Sequence, residues 1–252
     1  MNVMKKFVFL AIALMLAFAG DASAQRFSHR PHGHAYQGGL GVSFGYAHSA
    51  YRLSDWAADD VNTYAGHDGF RVGVTQDFTL VYEALYLQAG VEFTYLNDNR
   101  NQEIGSFKVI GDWNECYLSI PVMLKYKLQL TRDIGLFIKA GPTIDEGLLS
   151  REKYRTRLPD GKNVAYEWRH YSAKAKGDGM PDAVKEVVKP AVSNKLRQFD
   201  VMFGGTVGAT FFDLLEVEIG YDWGVINKFR GETFDDVKMH RQQFYLGVGI
   251  RF

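Results

Sequence analysis

The sequence predicts an all-β fold: a transmembrane, antiparallel, up-and-down β-barrel of eight strands with long extracellular loops. Three observations predict it. Apolar and polar residues alternate with period two in eight segments, most of them near the length a tilted membrane strand needs. The polar face of those segments carries glycines and charges of both signs. Short and long connections alternate strictly along the chain, as periplasmic turns and extracellular loops do in such barrels.

The first residues read as an export signal rather than part of the fold. Lys5 and Lys6 form a basic start, Phe7 to Gly20 an apolar stretch too short to span a bilayer, and Ala22-Ser23-Ala24 a small-residue cleavage site. Residues 1–24 are therefore expected to be a signal peptide, 25–36 a flexible leader, and 37–252 one barrel domain. The later sequence has no apolar run long enough for a transmembrane helix. One cysteine, Cys116, excludes an internal disulfide framework, and it reads as a small apolar strand residue.

The strands follow in order. Leu40 to Tyr46 and Phe70 to Val74 are short alternating runs. In "ALYLQAGVEFTYL", Leu85, Leu87, Ala89, Val91, Phe93 and Tyr95 oppose Gln88, Gly90, Glu92 and Thr94. "CYLSIPVMLKYKL" repeats the pattern, with Lys125 and Lys127 on the polar side. Ile134 to Ile144, "FDVMFGGTVGATF" and "LEVEIGYDWGV" follow, and "FYLGVGIRF" closes the series. This last segment must pair with the first, which leaves no free edge.

A soluble sandwich would hide its apolar face and wet its polar one. The bulk of the apolar face and the length of the strands favour the inverse, with lipid outside and charges within. Arg71, Glu92, Lys125, Lys139, Glu218, Asp222 and Arg251 are expected to fill the lumen as a paired polar plug. Eight strands enclose a space that side chains fill, so a wide pore is not expected. Tyr95, Tyr221 and Trp223 should mark the outer interface, and Tyr126, Phe211 and Phe252 the periplasmic one.

The short connections are expected at 76–83, 129–133 and Asp213, and the long ones at 51–66, 97–114, 151–197 and 228–240. The segment 151–197 is the largest. Its first half reads as a hairpin turning at Pro159-Asp160-Gly161 and projecting above the membrane; "PDAVKEVVKPAV" reads as a short helix. A ten-stranded barrel that absorbs this hairpin is the alternative. The loop holds 12 basic and 6 acidic residues, a composition that fits lipopolysaccharide phosphates or an acidic partner.

Sharper chemistry finds little support. His29, His32 and His34 are metal-competent residue types in a Pro/Gly-containing leader without fixed geometry. Asp178 and Asp182 resemble the end of a calcium loop whose upstream aspartates are replaced by Lys174 and Lys176. His48, Ser49, His67 and Asp55 lie near the outer rim, but neighbours on a strand face opposite ways, so His48 and Ser49 cannot both point inward. The expectation is a protein that is not an enzyme, with no cofactor and no metal. Equal numbers of acidic and basic residues, 29 each, give no sign of nucleic-acid binding.

The segment 117–144 resembles the PorT-like outer-membrane β-barrel family of Bacteroidota. The resemblance rests on Tyr117, Leu118, Ile120 and Pro121, a turn, and then Gly141 and Pro142. It implies a signal peptide, an eight-stranded barrel and the outer membrane; a monomer contacting outer-membrane lipid and lipopolysaccharide is expected, and the terminal Phe252 resembles the signal by which many such barrels are handed to the barrel assembly machinery. The family resemblance further implies a structural, interaction or accessory role in secretion or envelope assembly, with an extracellular or secretion-system protein as partner. A small-solute channel is the second expectation and a lipid-modifying enzyme the third. Pro121 and Pro142 each remove a ladder donor, and bulges are expected there.

Overall fold

A computed structural model describes residues 39–54, 66–81, 84–99, 101–104, 107–158, 161–176, 195–230 and 238–252. The expected signal peptide and leader, His29, His32, His34, Asp55, Asp178, Asp182 and the helix at 181–192 lie outside the described residues. Among those described there is no helix.

Eleven strands form one sheet: β1 (Leu40–Ser54), β2 (His67–Val81), β3 (Leu85–Asn99), β4 (Gln102–Ile104), β5 (Phe107–Gln129), β6 (Ile134–Arg157), β7 (Asn163–Arg169), β8 (Lys174–Lys176), β9 (Phe199–Phe211), β10 (Leu215–Gly224) and β11 (Lys238–Arg251). Eight of them, β1, β2, β3, β5, β6, β9, β10 and β11, pair antiparallel in a closed ring. The terminal segment pairs with the first strand from Gly41↔Arg251 upward, so the ring has no open edge. β4, β7 and β8 extend the sheet above the ring rather than entering it, which settles eight strands over ten.

The pairings fix the geometry of closure. From Val42, the registers run through Val74, Val91, Ile120, Ile144 and Val201 to Val225, just past the end of β10; the other way round, through Ile250, they reach Leu215. The two routes differ by ten residues, 225 against 215. With eight strands that stagger corresponds to a tilt of about 40°.

Alternation sets the two faces. Val42, Phe44, Leu124, Leu136, Ile138, Phe203, Val207, Ile219, Leu246, Val248 and Ile250 are exposed on the outside. Arg71, Glu92, Lys125, Lys139, Asp222 and Arg251 are buried inside. The arrangement is the inverse of a water-soluble core, and it suits a hydrocarbon solvent.

The connections at one end are tight. β5 and β6 are joined by 130–133, where the Thr131 hydroxyl accepts from the amides of Asp133 and Ile134. β9 and β10 are joined by 212–214, in which Phe212 and Asp213 are both at positive φ (56° and 55°) and the Leu214 amide donates to the Phe211 carbonyl, a turn whose twist right-handed strands favour. β2 runs on to Val81, so Gln76 and Asp77, expected in a turn, are strand residues. At the other end β5 and β6 overshoot the ring, with 23 and 24 residues. The β6–β7 hairpin turns at Gly161, whose φ of 84° suits glycine.

The expected proline bulges are absent. Pro121 pairs with Thr143 and Pro142 with Phe203, and the register of β5 on β6 is the same on both sides of the pair. The ladder drops the pairings at 122–123 against 141–142 and then resumes without a shift. A missing donor therefore costs local pairing without an inserted residue. The bulge between β5 and β6 lies higher, where Cys116 pairs with Leu149 but Tyr117 pairs with Gly147, leaving Leu148 as the extra residue.

Candidate functional site

The interior is a column of paired charges. At the end with the tight turns Lys127 Nζ donates to Asp213 at 2.8 Å. Above it four groups alternate in sign. Lys125 Nζ lies 2.9 Å from Asp77 and 2.6 Å from Glu216, and Arg251 lies 3.0 Å from Asp77 and 2.8 Å from Glu216. Two cations and two carboxylates close a neutral ring, and Gln88 donates a further bond to Asp77 at 2.6 Å. Neutrality matters because one unpaired charge here would lie in a dry interior.

The next level holds two more pairs. Lys139 donates to Glu218 at 2.5 Å and to the Gln88 carbonyl at 3.1 Å. Arg71 Nη2 meets both oxygens of Glu92, at 2.5 and 2.6 Å, with Asp222 at 3.7 Å. Its guanidinium lies over the Tyr245 ring, 3.9 Å from the centroid. One cavity among these groups has a volume of about 10 Å³, room for a single water.

Higher still, Arg241 pairs with Asp145 and lies over the Tyr117 ring, 3.7 Å from the centroid. Tyr51 donates to Glu115 at 2.7 Å, Ser150 to Glu115 at 2.8 Å, and Trp113 to Ser150 at 3.1 Å. Tyr51, Leu53, Trp113, Leu196, Phe229 and Met239 pack together as an apolar stopper. His67 meets Trp113 edge-on, and His170 stacks on Trp113 with its Nε2 3.1 Å from a Glu152 carboxylate oxygen.

Each of the seven charges expected in the lumen faces inward, with the side chain of Glu218 the least covered at 12% exposed. Lys139–Glu218 and Arg71–Glu92–Asp222 pair among the seven, whereas Lys125 and Arg251 meet through Asp77 and Glu216, which are not among them. Glu216 and Lys127 sit on the same alternating faces as their neighbours, so the signal for them was present. Asp77 was hidden by its assignment to a turn. Asp145, Arg241 and Glu115 lie just beyond the ends of the alternating runs, between the expected strands and the expected loops, and Glu152 lies in the segment 151–197 expected to be loop. Of the aromatic residues expected at the interfaces, Tyr126, Tyr221, Trp223 and Phe252 are exposed on the outer surface, and Tyr95 and Phe211 are half-buried.

The residues considered for catalysis are divided. Ser49 points inward and donates to the Gln242 carbonyl at 3.1 Å; His48 points outward to Asp68 at 2.8 Å. Ser49 and His67 are opposite one another across β1 and β2, and both are buried. Cys116 is half-buried between Tyr95 and Leu149. Among the described residues no group of three or more His, Cys, Asp or Glu is arranged to hold a metal.

A closed eight-stranded sheet with an apolar exterior and an ionic interior defines a transmembrane β-barrel. The chain belongs to the outer membrane protein beta-barrel domain family, whose model matches residues 23–230. No curated protein matches it by sequence. Among solved structures it is similar to the attachment invasion locus protein Ail of Yersinia pestis, at 13% identity over 86% of this chain and 99% of that one, with a TM-score of 0.41. It is also similar to neisserial surface protein A, at 13% identity over 84% and 97%, with a TM-score of 0.37. OprG from Pseudomonas aeruginosa matches at 12% identity over 87% and 98%, with a TM-score of 0.39.

Proposed function

We propose that this protein is a non-conducting, non-enzymatic outer-membrane barrel whose role lies in its extracellular extension, as a structural or interaction element. The observation that carries this reading is the column of paired, buried charges with an apolar stopper above it. A hydrated solute has no path through side chains packed in this way. The commitment of Ser49 to a backbone carbonyl favours a non-catalytic outer end. The PorT-like resemblance of residues 117–144 favours an accessory part in secretion or envelope assembly, with a secretion-system or extracellular protein as partner, after cleavage of residues 1–24 and delivery by the barrel assembly machinery.

The test is conductance of the refolded, full-length barrel in planar lipid bilayers. The expected result is a silent membrane at moderate voltage. Discrete, reproducible conductance steps from the intact protein would overturn the sealed reading and make a small-solute channel the better one. A change in lipid A mass on overexpression would instead restore the lipid-modifying enzyme.

A further inference from the structure

The charges inside the barrel divide into two sets. From Lys127 up to Arg71, five cations meet five carboxylates, and the column is neutral. Above it the balance fails. Glu115, Asp145, Asp200 and Asp222 are at most 3% exposed, and the permanent cations buried with them are Arg241 and Lys228. Arg71 lies 3.7 Å from Asp222 but is already matched by Glu92, and His170 answers Glu152. Counting the buried His67 as an imidazolium still leaves four carboxylates against three cations.

The four carboxylates share one stretch of the lumen, below the apolar stopper. Asp145 on β6 is directly opposite Asp200 on β9. Asp145 pairs with Arg241, whose guanidinium lies over the Tyr117 ring. The Tyr117 hydroxyl is 2.8 Å from that of Tyr51, which donates to Glu115. Gly224, the next inward position above Asp222 on β10, lies against Asp200: a Cβ there would stand 2.8 Å from the Asp200 Oδ2.

Each of the four keeps an oxygen without a hydrogen-bond partner: Glu115 Oε2, Asp145 Oδ1, Asp200 Oδ2 and Asp222 Oδ1. Two neutral oxygens facing the same space, Thr143 Oγ1 and Gln243 Oε1, are also unpartnered, and Gln243 is directly opposite Asp222. Lys228 Nζ stops 3.9 Å from Asp200, beyond hydrogen-bond reach. Lys228 Nζ and two nitrogens of Arg241 are unpartnered as well, so water has hydrogen bonds to complete here. Water satisfies hydrogen bonds and leaves the charge. In a dry interior an excess carboxylate is neutralised or joined by a cation.

We propose that the upper lumen is a binding chamber for a monovalent alkali cation, sodium or potassium, held between the ionic column and the stopper with Asp222 and Asp200 at its centre. The free oxygens are hard donors, which suit such ions. A divalent ion demands more: calcium takes six to eight oxygens and magnesium a near-ideal octahedron. Among the described residues no three acidic, histidine or cysteine side chains are arranged to hold a metal. One or two carboxylates, a hydroxyl or amide oxygen and retained water meet the looser demand of a monovalent ion. The chamber can hold an ion whether or not the barrel conducts, so a failed binding test and a conducting bilayer are separate results.

The test uses the full chain refolded into phosphatidylcholine nanodiscs, with empty discs as the blank. Sodium and potassium bound per barrel are counted by equilibrium dialysis, and unfolding temperature is compared in sodium, potassium and N-methylglucamine chloride at equal ionic strength. About one alkali ion per barrel is expected, with a higher unfolding temperature in sodium or potassium chloride than in N-methylglucamine chloride. D200N/D222N should reduce binding at least about tenfold and remove the temperature difference. D133N, in a tight turn, should leave both unchanged. An intact chain that binds no more alkali ion than the blank overturns the proposal without any variant. So does a double variant that migrates as a folded barrel and binds the ion undiminished. Calcium bound in preference to sodium and potassium would overturn the monovalent assignment. Stability that is indifferent to the alkali ion and falls as pH rises would assign the charge balance to protons and overturn the cation assignment.

Discussion

Lys125 shows how a single side chain is held in this interior. Its ammonium is fully buried, and Asp77 and Glu216 offset its charge while Arg251 completes the ring. Substituting Lys125→Met should destabilise the barrel by about 3–5 kcal/mol, because Asp77 and Glu216 would then share one cation in a dry site. Combining Lys125→Met with Asp77→Leu should recover most of that loss; urea unfolding followed by tryptophan fluorescence, as a double-mutant cycle, measures both. At this scale the sequence was partly legible. Period two placed Lys125, Lys139 and Arg71 inside, because facing depends only on parity along a strand. Which charge meets which partner was not legible, because ion pairs such as Lys125–Glu216 join residues 91 positions apart and depend on stagger. Asp77 was missed for a local reason: "TQDF" reads as a turn until β3 is there to pair with it.

At the scale of elements, β6 is a case in which one residue decides what the strand does. Deleting Leu148 should turn Arg151, Lys153, Arg155 and Arg157 inward and expel Ser150, Glu152 and Tyr154. The expected cost is about 3–5 kcal/mol from unpaired buried cations, read as a fall in the temperature at which the compact band on a gel converts to the unfolded one. A bulge of this kind leaves little trace in sequence, since "DEGLLSREKY" fits either parity. The β9–β10 turn makes a milder demand. Phe212 is a bulky residue held at positive φ. Phe212→Asn should stabilise the barrel by about 1 kcal/mol in the same unfolding measurement, by relieving backbone strain at an exposed position.

At the scale of the whole molecule, strand number, stagger and filling agree with one another. Eight strands with a ten-residue stagger enclose a lumen that the inward side chains fill. The intact protein should run faster on a gel unheated than boiled; a single unshifted band, with the protein in the soluble periplasmic fraction, would be incompatible with the closed sheet. The barrel was legible at this scale because its signals are repetitive: each added strand repeats the same alternation, and each connection the same asymmetry. The upper third was not legible. There the strands run on through what reads as loop, and Trp113, Glu115 and Glu152 form a packed cap only once β5 and β6 overshoot the ring.

The place of Arg251 on β11 has a consequence for the order of assembly. β11 is the strand that completes the ring on β1, and its Arg251 supplies the second cation facing Asp77 and Glu216. Until that strand arrives, two carboxylates face one ammonium. Without β11 the cluster would carry a net negative charge in a dry interior. Docking β11 neutralises the cluster and zips the seam in a single event. The guanidinium acts as a latch on the seam.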